Sequence, residues 1–198
     1  MKKIFAILAV AAVAVSCNNA RTVISGDVLG IEDGTIYLAE PTRNGALIDS
    51  TEIKSGKFVF NLNDEAAKHY VIRTAEEVIV SVFTEDGNIA VAGNVSNSSV
   101  EATGTPANDA FNTYNADMTL INQRYAQAAS DEEREAIYAE YEQFMNKTID
   151  DNINNIFGVI MFIQNKGYER SAAQMTEQLN ALSEGVKGLP VVVSALEK

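Results

Sequence analysis

"EATGTPANDAFNTYNADM", residues 101–118, is where the hydrophobic pattern of this chain changes from that of a strand to that of a helix. Thr105-Pro106 reads as an N-cap followed by proline at the first helical position, where its missing N–H costs nothing. From there Phe111, Tyr114, Met118, Ile121 and Tyr125 recur at spacings of 3, 4, 3 and 4, one stripe of a helix. Upstream of Thr105 the chain reads as short strands, downstream as helices. The expected fold class is therefore α+β: an antiparallel β-sandwich or open barrel over residues 23–104, then an all-helical segment over residues 105–198.

Working back from the break, strands are expected in "RTVISGDVLG" (21–30), "TIYLA" (35–39), "ALIDSTEI" (46–53) and "KFVFNL" (57–62). "HYVIR" (69–73), "VIVSVFT" (78–84), "NIAVAG" (88–93) and a short "VEATG" (100–104) complete the series. Asp33-Gly34, Ser55-Gly56 and Asp86-Gly87 lie between these runs and predict hairpin turns, because glycine tolerates the positive φ such turns need. "VIVSVF" is apolar on both faces, which predicts a central strand.

Working forward, Ser130 to Glu133 fits a capping box, opening a helix with Ile137, Tyr141 and Phe144 on one face. "NIFGVIMFIQNKG" (155–167) is apolar almost all round and is expected to be the buried central helix. Ser171 to Gln174 is a second capping box, opening "AAQMTEQLNALSEG" (172–185). "LPVVVSALEK" (189–198) reads as a short helix, with Leu189 before it and Pro190 in its first turn.

The first residues carry a different message. Met1-Lys2-Lys3 is followed by an uncharged, apolar run from Ile4 to Val15, the layout of a signal peptide over residues 1–16. The run is shorter than the roughly 20 residues a membrane span needs. Ala14-Val15-Ser16-Cys17 resembles a bacterial lipobox, with Ala14 where leucine is commonest and the small Ser16 before the cleavage point. That resemblance implies cleavage before Cys17, acylation of its sulfur and amine, and a short tether over residues 17–22. Cys17 is the only cysteine, so neither a disulfide within the chain nor a paired thiol site competes for it. Each buried acyl methylene contributes about 0.8 kcal/mol, and two chains suffice for stable anchoring. The membrane partner is thus expected to be reached through acylated Cys17.

The rest of the surface is not expected to help. Loss of Lys2 and Lys3 lowers Lys+Arg from 15 to 13 against 27 Asp+Glu, and takes the formal charge from −12 to −14. Such a chain is repelled by anionic lipid and by nucleic acid, which excludes nucleic-acid binding as its main role. The 182 residues from Cys17 onward suffice for one sizeable core or two small ones.

Catalytic signatures are sparse. His69, the only histidine, opens "HYVIR" and lacks the partners of a triad or zinc site; a surface or strand-edge position is expected, with a general base as the alternative. "SGKF" (55–58) has Thr51 where a phosphate-binding loop needs glycine, and a strand rather than a helix follows it. Asp131-Glu132-Glu133 opens a helix, where negative charge is favourable. Asp150-Asp151 reads as a solvated helix end before it reads as a weak cation site. Phe111 and Tyr114 at helical spacing read as core rather than as ligand contacts, despite the neighbouring asparagines. The chain has no Trp, the residue most typical of a carbohydrate platform. No cofactor, metal or catalytic residue is assigned.

Taken together, "ISGDVLGIEDGTIYLAEP", "ALIDSTEIKSGKFVFN", "VFTEDGNIAVAG" and "ATGTPANDAFNTY" resemble the N-terminal domain of unknown function of thioredoxin-like lipoproteins of Bacteroidota. The resemblance covers roughly residues 23–115. In that family a thioredoxin-like domain with a Cys-x-x-Cys pair usually follows, at about where this sequence stops. With Cys17 its only cysteine, no redox residue carries over. Some lipoproteins of such bacteria bear an acidic tag after the cysteine that sends them to the cell surface. Asn18-Asn19-Ala20-Arg21-Thr22 is not acidic, so the periplasmic face of the outer membrane is expected. The first expectation for function is a lipid-anchored periplasmic binding or scaffold module without catalytic activity, with an unknown protein or small-ligand partner. The alternatives are the non-catalytic front of a larger thiol–disulfide oxidoreductase, or a glycan- or peptide-binding lipoprotein using a cleft between the two halves.

Overall fold

The computed structural model describes residues 21–42, 45–63, 66–166 and 171–197. The expected signal peptide over residues 1–16, Cys17 and most of its tether lie outside these. Among the described residues eight strands come first: β1 (Thr22–Leu29), β2 (Gly34–Ala39), β3 (Leu47–Ile53), β4 (Lys57–Leu62), β5 (Lys68–Arg73), β6 (Val78–Thr84), β7 (Gly87–Asn94) and β8 (Glu101–Thr103). Six helices follow: α1 (Pro106–Gln127), α2 (Asp131–Asn152), α3 (Ile156–Lys166), α4 (Ala172–Asn180), α5 (Glu184–Lys187) and α6 (Pro190–Leu196). The class is α+β, and β1 opens one residue before the expected start of the β region.

The strands form two four-stranded sheets, ordered β4-β1-β7-β8 and β3-β2-β5-β6. Alternation places them face to face. In β4, Phe58, Phe60 and Leu62 point inward while Lys57, Val59 and Asn61 point out. Ile24, Val28, Phe60, Ile89 and Val91 of one sheet meet Ile36, Leu38, Ile53, Ile72 and Val82 of the other in one buried core. The sheets stay open rather than closing into a barrel. Every ladder is antiparallel except one: β1 and β7 run parallel, from Thr22 opposite Gly87 to Leu29 opposite Asn94.

The turn glycines divide. Ser55 (φ 50°) and Gly56 (φ 78°) make a tight two-residue turn, and Lys54 and Lys57 exchange N–H···O bonds of 3.0 Å across it. Beyond that bridge β3 and β4 splay into different sheets. Asp33-Gly34 and Asp86-Gly87 do not form hairpins, contrary to expectation. They carry the chain from β1 to β2 and from β6 to β7, each time from one sheet to the other. An Asp-Gly pair signals that the chain turns, not which strand receives the next one. Asp33 Oδ1 accepts the Ser55 N–H at 2.6 Å, tying the first arch to the tight turn.

β6 is likewise not central. It is the last strand of its sheet, exposed at Val78 and covered on both faces only towards its end. Val80 and Val82 face the sandwich, and Phe83 faces a second core supplied by the helices. In that core α3 is the buried centre, with Ile156, Phe157, Val159, Met161 and Phe162 all covered. α2 adds Met145 and Ile149, while Leu179, Val186 and Val192 close it from α4, α5 and α6. The stripe on α1 ends sooner than its spacing predicts, for Tyr125 is 47% exposed. The expected helix over residues 172–185 breaks after Asn180, and Ser183 opens the short α5. Ser171 and Gln174 form the complete capping box. Ser130 accepts the Glu133 N–H, but the Glu133 carboxylate takes the Ala129 N–H at 2.7 Å, one residue earlier than a box requires.

Candidate site at the seam between the two cores

The junction is built on β5 and β6. His69 stands directly opposite Phe83, and their rings stack at 4.5 Å with 12° between planes. Phe83 also meets the edges of Phe111 and Phe157, at 5.2 and 5.6 Å between centroids. Tyr114 stacks on Phe144 at 5.8 Å, and burial together with Tyr141 raises its phenol above the usual range. Phe111 and Tyr114 therefore belong to the helical core.

The start of α1 fastens this junction. Thr105 has the extended backbone of an N-cap, but its hydroxyl bonds no helical N–H. It accepts instead from Asn108 Nδ2 at 2.7 Å. The helix start is capped from the β side: Glu85 Oε2 accepts the Ala107 N–H at 3.0 Å. Asn108 is wholly buried; its Oδ1 accepts the Phe83 N–H at 2.9 Å and its Nδ2 donates to the Phe83 carbonyl at 2.7 Å. One turn on, Asn112 Nδ2 donates to the Ala102 carbonyl of β8 at 2.8 Å. Asn108 and Asn112, both upstream of Tyr114 in the same helix, thus hold strands. The "GTPANDAF" pattern was visible in the sequence, but its role was not.

Beside this junction opens a cleft of about 460 Å³. Ala67, Lys68, His69 and Tyr70 line it from β5 and the residues before it, and Ile156, Ile160 and Gln164 from α3. Pro190 and Val191 of α6, Glu40, Pro41 and Thr42 after β2, and Ile48 of β3 complete the lining. Glu40 exchanges backbone and side-chain bonds with Ala46. The volume is in the range of small-molecule sites, roughly 300–1,000 Å³.

His69 is thus half-buried and not at a strand edge. β5 is an interior strand, and the helices cover the face on which the imidazole lies. Burial holds its pKa below the ordinary histidine value, which favours the neutral ring. Its Nε2 is buried and finds no hydrogen-bond partner among the described residues. Nothing in the sequence announced this, because the covering side chains come from α3 and α6.

The remaining expected residues lie elsewhere. Cys17 is outside the described residues. Asp131, Glu132 and Glu133 open α2, where the Glu132 backbone N–H and the Ser130 hydroxyl hold the Glu132 carboxyl below its usual range. Asp151 pairs with Lys147 one helical turn before it. Among the described residues no three His, Cys, Asp or Glu side chains come together as a metal site, and no helix is long and apolar enough to cross a membrane.

Residues 22–111 match the family model of a domain of unknown function (DUF4369). The match opens at the first residue of β1 and ends inside α1 at Phe111, so it takes in both sheets and the Asn108–Phe83 contact. No curated protein and no solved structure matches the chain.

Proposed function

We propose that this protein is a non-catalytic binding module of the cell envelope, held at the periplasmic face of the outer membrane by acylated Cys17, with its ligand seated in the cleft at the seam. The observation that carries the reading is that cleft. It draws its walls from both halves of the chain, and His69, whose ring stacks on Phe83, is among the residues that line it. A binding role fits His69 better than base catalysis does. A catalytic base is oriented by a hydrogen-bonded partner, whereas this ring is held by stacking on Phe83.

The position of the anchor agrees with this. Four residues lie between Cys17 and Thr22, a reach of at most about 18 Å. Thr22 Oγ1 donates to the Glu85 carbonyl at 2.7 Å, and Thr84, next to Glu85, bonds Lys68 at the start of β5. The cleft therefore lies at the end of the sandwich to which the tether leads. Replacing Cys17 with Ser is expected to release the protein from washed membranes. Retention of the variant in the membrane fraction after a salt wash would overturn the anchor.

A second reading is favoured by the domain match over residues 22–111 together with the resemblance to thioredoxin-like lipoproteins of Bacteroidota. In it the chain is the non-catalytic front of a larger thiol–disulfide oxidoreductase. The intact mass of the protein extracted from native membranes separates the two, since a further domain adds roughly 100–150 residues.

A further inference from the structure

α1 and α2 are longer than the helix that covers them. Each has 22 residues and α3 has 11. A hairpin of about 33 Å is thus met by about 17 Å of α3. α3 sits on the half that adjoins the sheets, where Phe157 meets Phe111 and Tyr114, each at 5.7 Å between centroids. The stripe of α2 that faces this core runs Tyr138, Tyr141, Met145 and Ile149, at spacings of 3, 4 and 4. Met145 and Ile149 are buried in the helical core at one end, while Tyr138 is 57% exposed at the other. α1 follows the same course: Phe111 and Tyr114 pack on the core, and Tyr125 on the same stripe is exposed. Ile121 and Ile137, in this outer half, are buried without belonging to either core. The outer half of the hairpin therefore carries the pattern of a covered face and leaves two tyrosines open to water.

The charge around these tyrosines has one sign. Both arginines of the outer half are already paired, Arg124 with Glu140 and Arg134 with Asp131, each at 2.8 Å. Glu135 and Glu142 stand one turn before and one turn after Tyr138, on its side of the helix. Both are exposed and neither has an ion pair among the described residues.

We propose that the outer half of the α1–α2 hairpin docks a basic amphipathic helix of a partner protein. Its apolar stripe would lie on Tyr125 and Tyr138, and its lysines or arginines beside Glu135 and Glu142. A helix is the occupant because α3 already fills the same face of the inner half. About 16 Å of that face remains, the length of about three helical turns. Tyrosine suits the centre of such an interface, where a few aromatic anchors carry most of the affinity. A second copy of this chain would bring the same carboxylates together, and an anionic bilayer would repel them. The surface shares no residue with the cleft, so the two are tested separately.

The probe is a dansyl-labelled peptide of two heptads of leucine and lysine, patterned as an amphipathic helix. One control has the same residues in an order that forms no apolar stripe; the other keeps the stripe and has glutamate for lysine. The full chain is used as the Cys17→Ser variant. Saturable binding of the patterned lysine peptide, about tenfold or more tighter than either control, supports the proposal. Tyr125→Ser combined with Tyr138→Ser removes both anchors at exposed positions. It is expected to weaken binding about tenfold, the scale of lost interface anchors, with unaltered circular dichroism. Glu135→Gln combined with Glu142→Gln is expected to weaken binding and to flatten its salt dependence. Val59→Ser, on the outward side of β4, is expected to leave the affinity unchanged.

Equal binding of the patterned and unpatterned lysine peptides overturns the proposal. So does equal affinity of the tyrosine variant and the parent, or an equal loss in Val59→Ser. A dimer in light scattering that the tyrosine variant dissolves would assign the face to a second copy. Binding to phosphatidylethanolamine vesicles that the tyrosine variant abolishes would assign it to a membrane. Either result also overturns the proposal.

Discussion

The Asn108 carboxamide occupies the place of a missing strand beside Phe83. It accepts the Phe83 N–H and donates to the Phe83 carbonyl, as a neighbouring backbone would. β6 ends its sheet, and an unpaired edge in a covered position would leave both groups without water or partner. One helical side chain thus seals a sheet edge and fixes where α1 docks. Replacing Asn108 with Leu is expected to destabilise the fold by about 2–4 kcal/mol, since two buried backbone groups lose their partners. Urea unfolding checks this; a midpoint within error of the parent would show that the contact is dispensable.

Glu85 holds the same helix by its first turn. Its carboxylate accepts the Ala107 N–H, which the Thr105 hydroxyl leaves free. Glu85→Ala is expected to cost about 0.5–2 kcal/mol, the range of a lost N-cap. Glu85→Gln keeps an acceptor and loses only the charge, so its cost is expected to be smaller. The order of the two thermal midpoints is the test, and Gln falling below Ala would contradict capping by Glu85.

Gly26 illustrates a close approach that side-chain patterning hides. It sits opposite Phe58 in the β1–β4 ladder, and a Cβ there would lie 2.0 Å from the Phe58 ring. The ring occupies the space that a side chain at residue 26 would need. Gly26→Ala is expected to force Phe58 off its place and to destabilise by about 1–3 kcal/mol, as overpacking does. The double variant Gly26→Ala with Phe58→Leu is expected to recover part of that loss. Strictly additive effects in chemical denaturation would show that the two positions do not share a steric conflict.

Local patterns were legible where a residue's role depends on its neighbours in sequence. The alternation of Phe58, Phe60 and Leu62 set the inward face of β4, and Ser171 with Gln174 fixed the start of α4. The all-round apolar character of residues 156–162 marked the central helix. What depends on a distant element was not legible. Asp33-Gly34 and Asp86-Gly87 predict hairpins because both signal a reversal, while strand choice depends on which sheet buries the next apolar face. β6 was read as central because two covered faces look alike whether strands or helices cover them. The cleft joins residues near 40, 68, 160 and 190, and no window of sequence contains them together.

His69 gives the stability of the fold a pH dependence whose sign is fixed. Burial lowers its pKa in the folded protein, whereas in the unfolded chain it titrates near its ordinary value of about 6.5. Between these two values the unfolded state binds more protons, so stability falls as pH falls. The contribution of the neutral ring is intact above pH about 6.5 and is lost as pH drops through the lowered folded value. Carboxylates add their own acid dependence, so the informative quantity is the difference between the parent and His69→Phe. That variant retains the stack on Phe83 and cannot be charged. Urea midpoints measured from pH 7.5 to 4.5, on the scale set by the ordinary histidine pKa, are expected to fall more steeply in the parent. Parallel curves would mean that the imidazole charges as easily in the folded protein as in the unfolded one, and that its burial at the seam is not maintained in solution.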